Sequence, residues 1–148
     1  MFYGESRVSI DEKGRVAIPT EYRAQLLTLC QGQLVVTYNP YERECLWLFP
    51  KPEWERVRDQ VMKLPSSKAA HREFQRKLVG AACHAEWDTS ARLTLPQAAR
   101  LTTGLERAAV LLGMGQKFEL WSENAQRTRM EQPIAESAIT TEMLELNF

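Results

Sequence analysis

The chain has 148 residues, 44% of them hydrophobic, with 19 basic and 19 acidic residues and a formal net charge of zero. That length suits one ordinary domain or two small ones, and the neutral total argues against a generally basic nucleic-acid coat. Cys30, Cys45 and Cys83 are an odd set without C-x-x-C spacing, which fits reduced thiols better than a disulfide framework.

No apolar run approaches the roughly 18–20 residues of a membrane span. The opening MFYGESRVS lacks the basic and apolar regions of a signal peptide. A cytoplasmic protein is expected.

The first element predicted is a hairpin over 7–18. Val8 and Ile10, then Val16 and Ile18, alternate with polar residues around the turn Asp11-Glu12-Lys13-Gly14. Gly14 is free to take positive φ there. Pro19 ends the second strand because it has no N–H to donate, and Thr20 is placed to cap a short helix over 21–29. Strands are predicted at 33–37 and 45–49, with Asn39-Pro40 as a turn between them and Pro50 and Pro52 closing the second.

From residue 53 the period changes. Trp54, Val57, Val61 and Leu64 recur at helical spacing, Pro65-Ser66-Ser67 interrupts, and 71–78 predicts a second helix. The first pattern then returns: strand at 84–87, turn at 88–91, strand at 92–95, and a short helix to about residue 101. Further strands are expected at 109–112 and 117–121. The remaining residues are polar and weakly helical, with Ile139, Met143 and Leu146 as a thin apolar stripe.

The return is a true repeat. Asp11, Arg15, Pro19 and Arg23 recur as Asp88, Arg92, Pro96 and Arg100, each displaced by 77 (88 − 11). Such a period sets the fold hypothesis before anything else. Phe118-Glu119-Leu120-Trp121 also echoes Leu46-Trp47-Leu48-Phe49. The expected organisation is a first module at 1–52, a helical connector at 53–80, a second module at 81–124 and a tail at 125–148. Charge is uneven along it: residues 51–80 carry eight Lys/Arg against four Asp/Glu, and residues 117–148 three against six.

Little in the sequence suggests catalysis. The only histidines are His71 and His84, and Cys83 adjoins His84 on a strand, where neighbours face opposite ways. No metal-ligand spacing, phosphate loop or dinucleotide fingerprint is present. No enzyme, metal or cofactor is expected.

The repeated turn has two readings. In the structural one, Asp11 and Asp88 bond nearby backbone N–H groups, and Arg15 or Arg23 pairs with the carboxylate. Arg23 and Arg100, four residues beyond the prolines, serve the fold. In the binding one, Arg15 and Arg92 at the turn edges contact phosphates or grip guanine O6 and N7 from a two-stranded ribbon. Lys13 and Arg7 supply phosphate contacts.

These residues resemble the MraZ family. The match rests on the paired Asp-x-x-x-Arg turns, the opening Met1, Phe2 and Gly4, the run DEKGRVAIP, the segment HREFQRKLVGAACHAEWD and FELW before the tail; it covers essentially the whole chain. The resemblance implies a mainly β fold with short helices. Two tandem AbrB-like (SpoVT-AbrB) modules would interlock by swapped hairpins into a pseudo-symmetric barrel, with helices between and after them. It also implies a ring-shaped homo-oligomer, located in the cytoplasm at the nucleoid. That ring would regulate transcription by binding double-stranded DNA at G-rich direct repeats upstream of its own cell-division and cell-wall operon. Within the motif, the DNA-binding role carries over to Lys13, Arg15 and Arg92.

The chain departs from the family pattern in three places. Ala91 replaces the glycine before Arg92, so the second turn is expected to differ in shape from the first. Ser90 stands where Lys13 has its counterpart, and Tyr3 where the family often has arginine. A mainly structural second turn follows. The competing reading is a protein-interaction ring or an antitoxin-like partner, with the acidic tail as a docking segment.

Overall fold

The computed structural model describes residues 1–148. Strand β1 (Phe2–Ser9) and strand β2 (Arg15–Ala17) flank the first turn, but only one bridge, Ile10 to Val16, joins them. The self-paired hairpin expected over 7–18 is therefore corrected. A three-residue arm cut short by Pro19 cannot satisfy the backbone groups of an eight-residue strand, so each arm pairs elsewhere. β1 runs antiparallel to β7 (Ala108–Gly115), and β2 to β6 (Arg92–Thr94).

The second half repeats the arrangement. β5 (Cys83–Glu86) pairs with β3 (Gln33–Tyr38) of the first half. β4 (Cys45–Pro50) and β8 (Phe118–Ser122) meet at the centre. The six-stranded order is β1-β7-β8-β4-β3-β5, with β2-β6 as a separate ribbon. It reads the same when the halves are exchanged. Leu34 pairs with Pro50 and Ala109 with Ser122, so LWLF and FELW occupy matching positions just ahead of those partners. The protein is mainly β with short helices, built from two interlocked halves.

Helix α1 (Thr20–Cys30) follows β2, and α4 (Gln97–Thr103) follows β6. Thr20 does not cap α1. The cap is Pro19, whose carbonyl accepts the Tyr22 N–H at 3.0 Å, so the helix starts one residue earlier than a threonine cap would set it. α2 (Lys51–Met62) and α3 (Ala69–Gln75) form the connector, and α3 widens into a π-helical turn over Arg76–Gly80. α5 (Glu123–Glu131) is capped by the Ser122 hydroxyl, which accepts the Ala125 N–H at 3.2 Å. A short α6 (Thr141–Leu144) follows it. Ile139 and Leu146 of the expected stripe stay exposed.

One core of 20 buried residues lies between the sheet, the ribbon, α1 and α4. Both halves contribute to it: Phe2, Tyr22 and Phe118 stack with ring centroids 4.3–6.0 Å apart. Val35, Phe49, Trp54, Val61 and Leu78 form a smaller core beneath the connector. No helix is long and apolar enough to cross a membrane.

Candidate nucleic-acid interface

Each repeated turn is closed by its aspartate. Asp11 Oδ1 accepts the backbone N–H of Lys13 at 3.0 Å and of Arg15 at 2.8 Å, and Oδ2 accepts Arg15 Nε at 2.8 Å. The Gly14 N–H returns to the Asp11 carbonyl at 2.9 Å. In the second turn Asp88 Oδ1 accepts from Ser90 N at 2.8 Å and Arg92 N at 3.0 Å, and Oδ2 accepts Arg92 Nε at 2.9 Å. The Ala91 N–H returns to the Asp88 carbonyl at 2.9 Å. The backbone N–H of Arg15 is the main cause holding the Asp11 carboxyl below its ordinary pKa, and that of Arg92 does the same for Asp88.

The two turns thus share one shape, against the expectation that Ala91 would alter the second. Gly14 has φ 78° and Ala91 φ 55°. The alanine is held in this costly region because its surroundings over-determine it. Asp88 fixes the turn from one side, and on the other the Ala91 carbonyl accepts the Ile18 N–H at 2.8 Å. Its methyl group is buried.

The ribbon brings the two motifs together. Arg15 pairs with Thr94, Val16 with Leu93 and Ala17 with Arg92. Side chains alternate along a strand and paired residues share a face. Val16 and Leu93 therefore point into the core, while Arg15, Ala17, Arg92 and Thr94 point outward. The turns lie at opposite ends of this ribbon, and their arginines leave the same face about 7 Å apart along the strand direction. Each guanidinium is partly covered, its Nε tied to the aspartate. The arginines are oriented rather than freely projecting, and neither terminal amino group has a hydrogen bond within the protein.

The other expected residues divide. Lys13 is exposed beside Arg15 and makes no ion pair. Arg7 is exposed on the outer face of edge strand β1. Arg23 serves the fold: its Nε donates to the Ile18 carbonyl at 2.8 Å. Pro19 and Pro96 end β2 and β6 and open the two helices.

Arg100 behaves differently from Arg23. Its guanidinium lies over Gly14, and its buried Nε has no hydrogen-bond partner. It lines an open groove of about 550 Å³ together with Lys13, Arg15 and Arg107. Arg107 carried no sequence signal, because it lies outside the repeat. Arg100 had one: only its half of the chain faces a glycine turn, since Ala91 occupies the other.

The catalytic alternative gains nothing from the geometry. Cys83 pairs with Val36 and His84 with Val35, on opposite sides of β5. Burial raises the pKa of both Cys30 and Cys45.

Interlocked halves, each offering an aspartate-oriented arginine to one face of a shared ribbon, define a tandem swapped-hairpin protein. The family model described as "MraZ protein, putative antitoxin-like" matches residues 1–77 and again 78–146. The transcriptional regulator MraZ of Stenotrophomonas maltophilia (strain R551-3) is 47% identical over 146 residues, covering 99% of each chain. The same values hold for that of Xanthomonas oryzae pv. oryzae (strain MAFF 311018). The Marinobacter nauticus protein of the same name (strain ATCC 700491 / DSM 11845 / VT8) is 39% identical over 142 residues, covering 96% of this chain and 95% of its own. The chain belongs to the MraZ family, whose named relatives are transcriptional regulators rather than enzymes.

Proposed function

We propose that this chain is a DNA-binding transcriptional regulator that recognises G-rich direct repeats upstream of its own cell-division and cell-wall operon. In this reading it works as a ring-shaped homo-oligomer in the cytoplasm, at the nucleoid. Modules at 1–52 and 81–124 present the two turns, with the connector 53–80 and the tail 125–148 outside the recognition surface.

The observation that carries the reading is the common face of Arg15 and Arg92. With Nε held by the aspartate, each guanidinium keeps two terminal amino groups in a fixed orientation. That arrangement suits a bidentate grip on guanine O6 and N7 in the major groove, which a two-stranded ribbon can enter. Lys13 and Arg7 add backbone contacts. The matching way in which Asp88 holds Arg92 supports a part for both arginines in this reading.

Zero net charge is compatible with this function. One monomer offers few cations and would bind weakly. A ring displays identical faces side by side, and each box bound makes the next contact intramolecular, multiplying affinity by roughly 10²–10⁴.

The second reading, an antitoxin-like interaction module, draws on the family description. A toxin gene beside this one would favour it, and a cell-wall cluster would favour regulation. The direct test is a gel shift with DNA from immediately upstream of the gene, with and without its G-rich repeats. Binding that requires the repeats is expected; equal binding to both would remove the sequence-reading role.

A further inference from the structure

We infer that Arg100 and Arg107, both from the second half of the chain, form with Lys13 a phosphate-binding groove beside the first turn. The groove docks the DNA backbone at that turn only. The inference rests on the reading of the turn face as a DNA-binding surface, and it adds Arg107, a binding role for Arg100, a ligand group and an asymmetry that the repeated motif does not contain.

The first observation is an orphaned donor. Arg23 and Arg100 are repeat counterparts, yet Arg23 Nε donates to the Ile18 carbonyl at 2.8 Å while the buried Arg100 Nε donates to nothing. A buried N–H without a partner is costly; no protein acceptor holds this guanidinium, and its terminal amino groups are left for an anion. Arg100 lines the groove that also holds Arg15.

The second observation is a difference between the turns. Ile10 donates its N–H to the Arg107 carbonyl at 2.8 Å, and Trp87, at the matching place, donates to the Gly32 carbonyl at 3.0 Å. The first bond brings the exposed Arg107 to the mouth of the first turn. At the second turn the same position is a glycine covered by the Trp87 indole, with no room for a side chain. Ser90 in place of Lys13 removes a second cation, and of the arginines left there Arg92 is paired with Asp88 and Arg23 is bound to the Ile18 carbonyl. One turn has a cationic groove and the other an indole.

Charge in the groove favours one phosphate rather than a strongly anionic ligand. Arg15 is already paired with Asp11 at 2.8 Å. Lys13, Arg100 and Arg107 then face Glu12 and Glu106, leaving a small positive excess. A single backbone phosphate, carrying one charge and two accepting oxygens, matches it.

The test uses the full-length protein and fluorescence anisotropy over a salt series, with the upstream duplex and a scrambled duplex. Arg107→Ala, at an exposed position, and Arg100→Gln are compared with the parent, each checked by thermal melting. Each variant is expected to weaken both duplexes by the same factor and to reduce the slope of log affinity against log salt by about one for each subunit bound. Unchanged slopes in Arg107→Ala and in a folded Arg100→Gln would overturn the groove while leaving DNA binding intact. A parent that binds neither duplex would instead overturn the reading on which it rests. Inorganic phosphate alone, at constant ionic strength, is expected to leave the melting temperature unmoved. A saturable, Arg100-dependent rise would assign the groove to a small free anion and overturn the backbone role.

Discussion

The Arg100 guanidinium fills the space into which a side chain at Gly14 would grow: a Cβ built there would stand 2.7 Å from Arg100 Nε. Gly14 also has φ 78°, so a substitution meets both backbone strain and a collision. Gly14→Ala is expected to lower stability by about 1–2 kcal/mol. Adding Arg100→Ala should recover the part due to the collision, which a double-mutant cycle in urea isolates. Ala91→Gly, at φ 55°, should be neutral or stabilising by up to about 1 kcal/mol, since it relieves a left-handed alanine. A clear loss of stability in Ala91→Gly would show that the buried methyl outweighs the strain.

Acid should loosen both turns together. Asp11 and Asp88 have pKa values lowered first by the backbone N–H of Arg15 and of Arg92. A depressed folded pKa contributes stability above the unfolded value of about 3.9; that contribution is lost as pH falls through the folded value. Urea midpoints should therefore drop below about pH 4. The double variant Asp11→Asn, Asp88→Asn should start lower at pH 7 and show a shallower acid limb. An unchanged acid limb would mean that other carboxylates govern it.

Arg15→Ala is expected to abolish sequence-specific DNA binding while the oligomer stays intact by size exclusion. A lost bidentate contact costs about 1–3 kcal/mol, or roughly fivefold to over a hundredfold in affinity, and one loss per subunit compounds around the proposed ring. Arg92→Ala should also weaken specific binding, more mildly, because its turn lacks Lys13 and the neighbouring groove. Normal binding by Arg15→Ala would sink the role of the turn, and a dissociated oligomer would make the residue structural.

If the proposed ring reads the proposed G-rich boxes, affinity should fall steeply as boxes are removed from the upstream DNA, because each box makes the next contact intramolecular. Titrations with one, two and three boxes at fixed salt measure it. Equal affinity for one box and for three would rule out avidity.

The fold was legible where the sequence repeats itself. Alternation, the 77-residue displacement, the LWLF and FELW echo and the prolines after β2 and β6 located seven of the eight strands and the end of β1, which begins at Phe2 rather than at residue 7. The pairing was less legible. Alternation around Asp11 says that two strands flank a turn, but says nothing of which strand each arm joins; only the family resemblance pointed to interlocking. Ala91 misled because intrinsic preference argues against a left-handed alanine; the Asp88 bonds are local, but the Ile18 N–H that also holds the Ala91 carbonyl comes from the other half of the chain. Arg15 and Arg92 stood out by spacing, but their common face depends on the register of β2 against β6. Arg107 left no trace because it reaches the first turn from a loop 92 residues (107 − 15) beyond Arg15.

The exchange symmetry of the strand order has a consequence for how such a chain can change. Cut between its halves, each piece would hold two strands whose partners lie in the other, so either half alone would need a second copy of itself to close its core. A self-paired half must carry every substitution twice. Joined in tandem, each half is free to vary against the other, and Lys13 can correspond to Ser90, or Arg107 to Gly32, without a matching change. Covalent linkage thus lets a two-fold scaffold hold a one-sided surface.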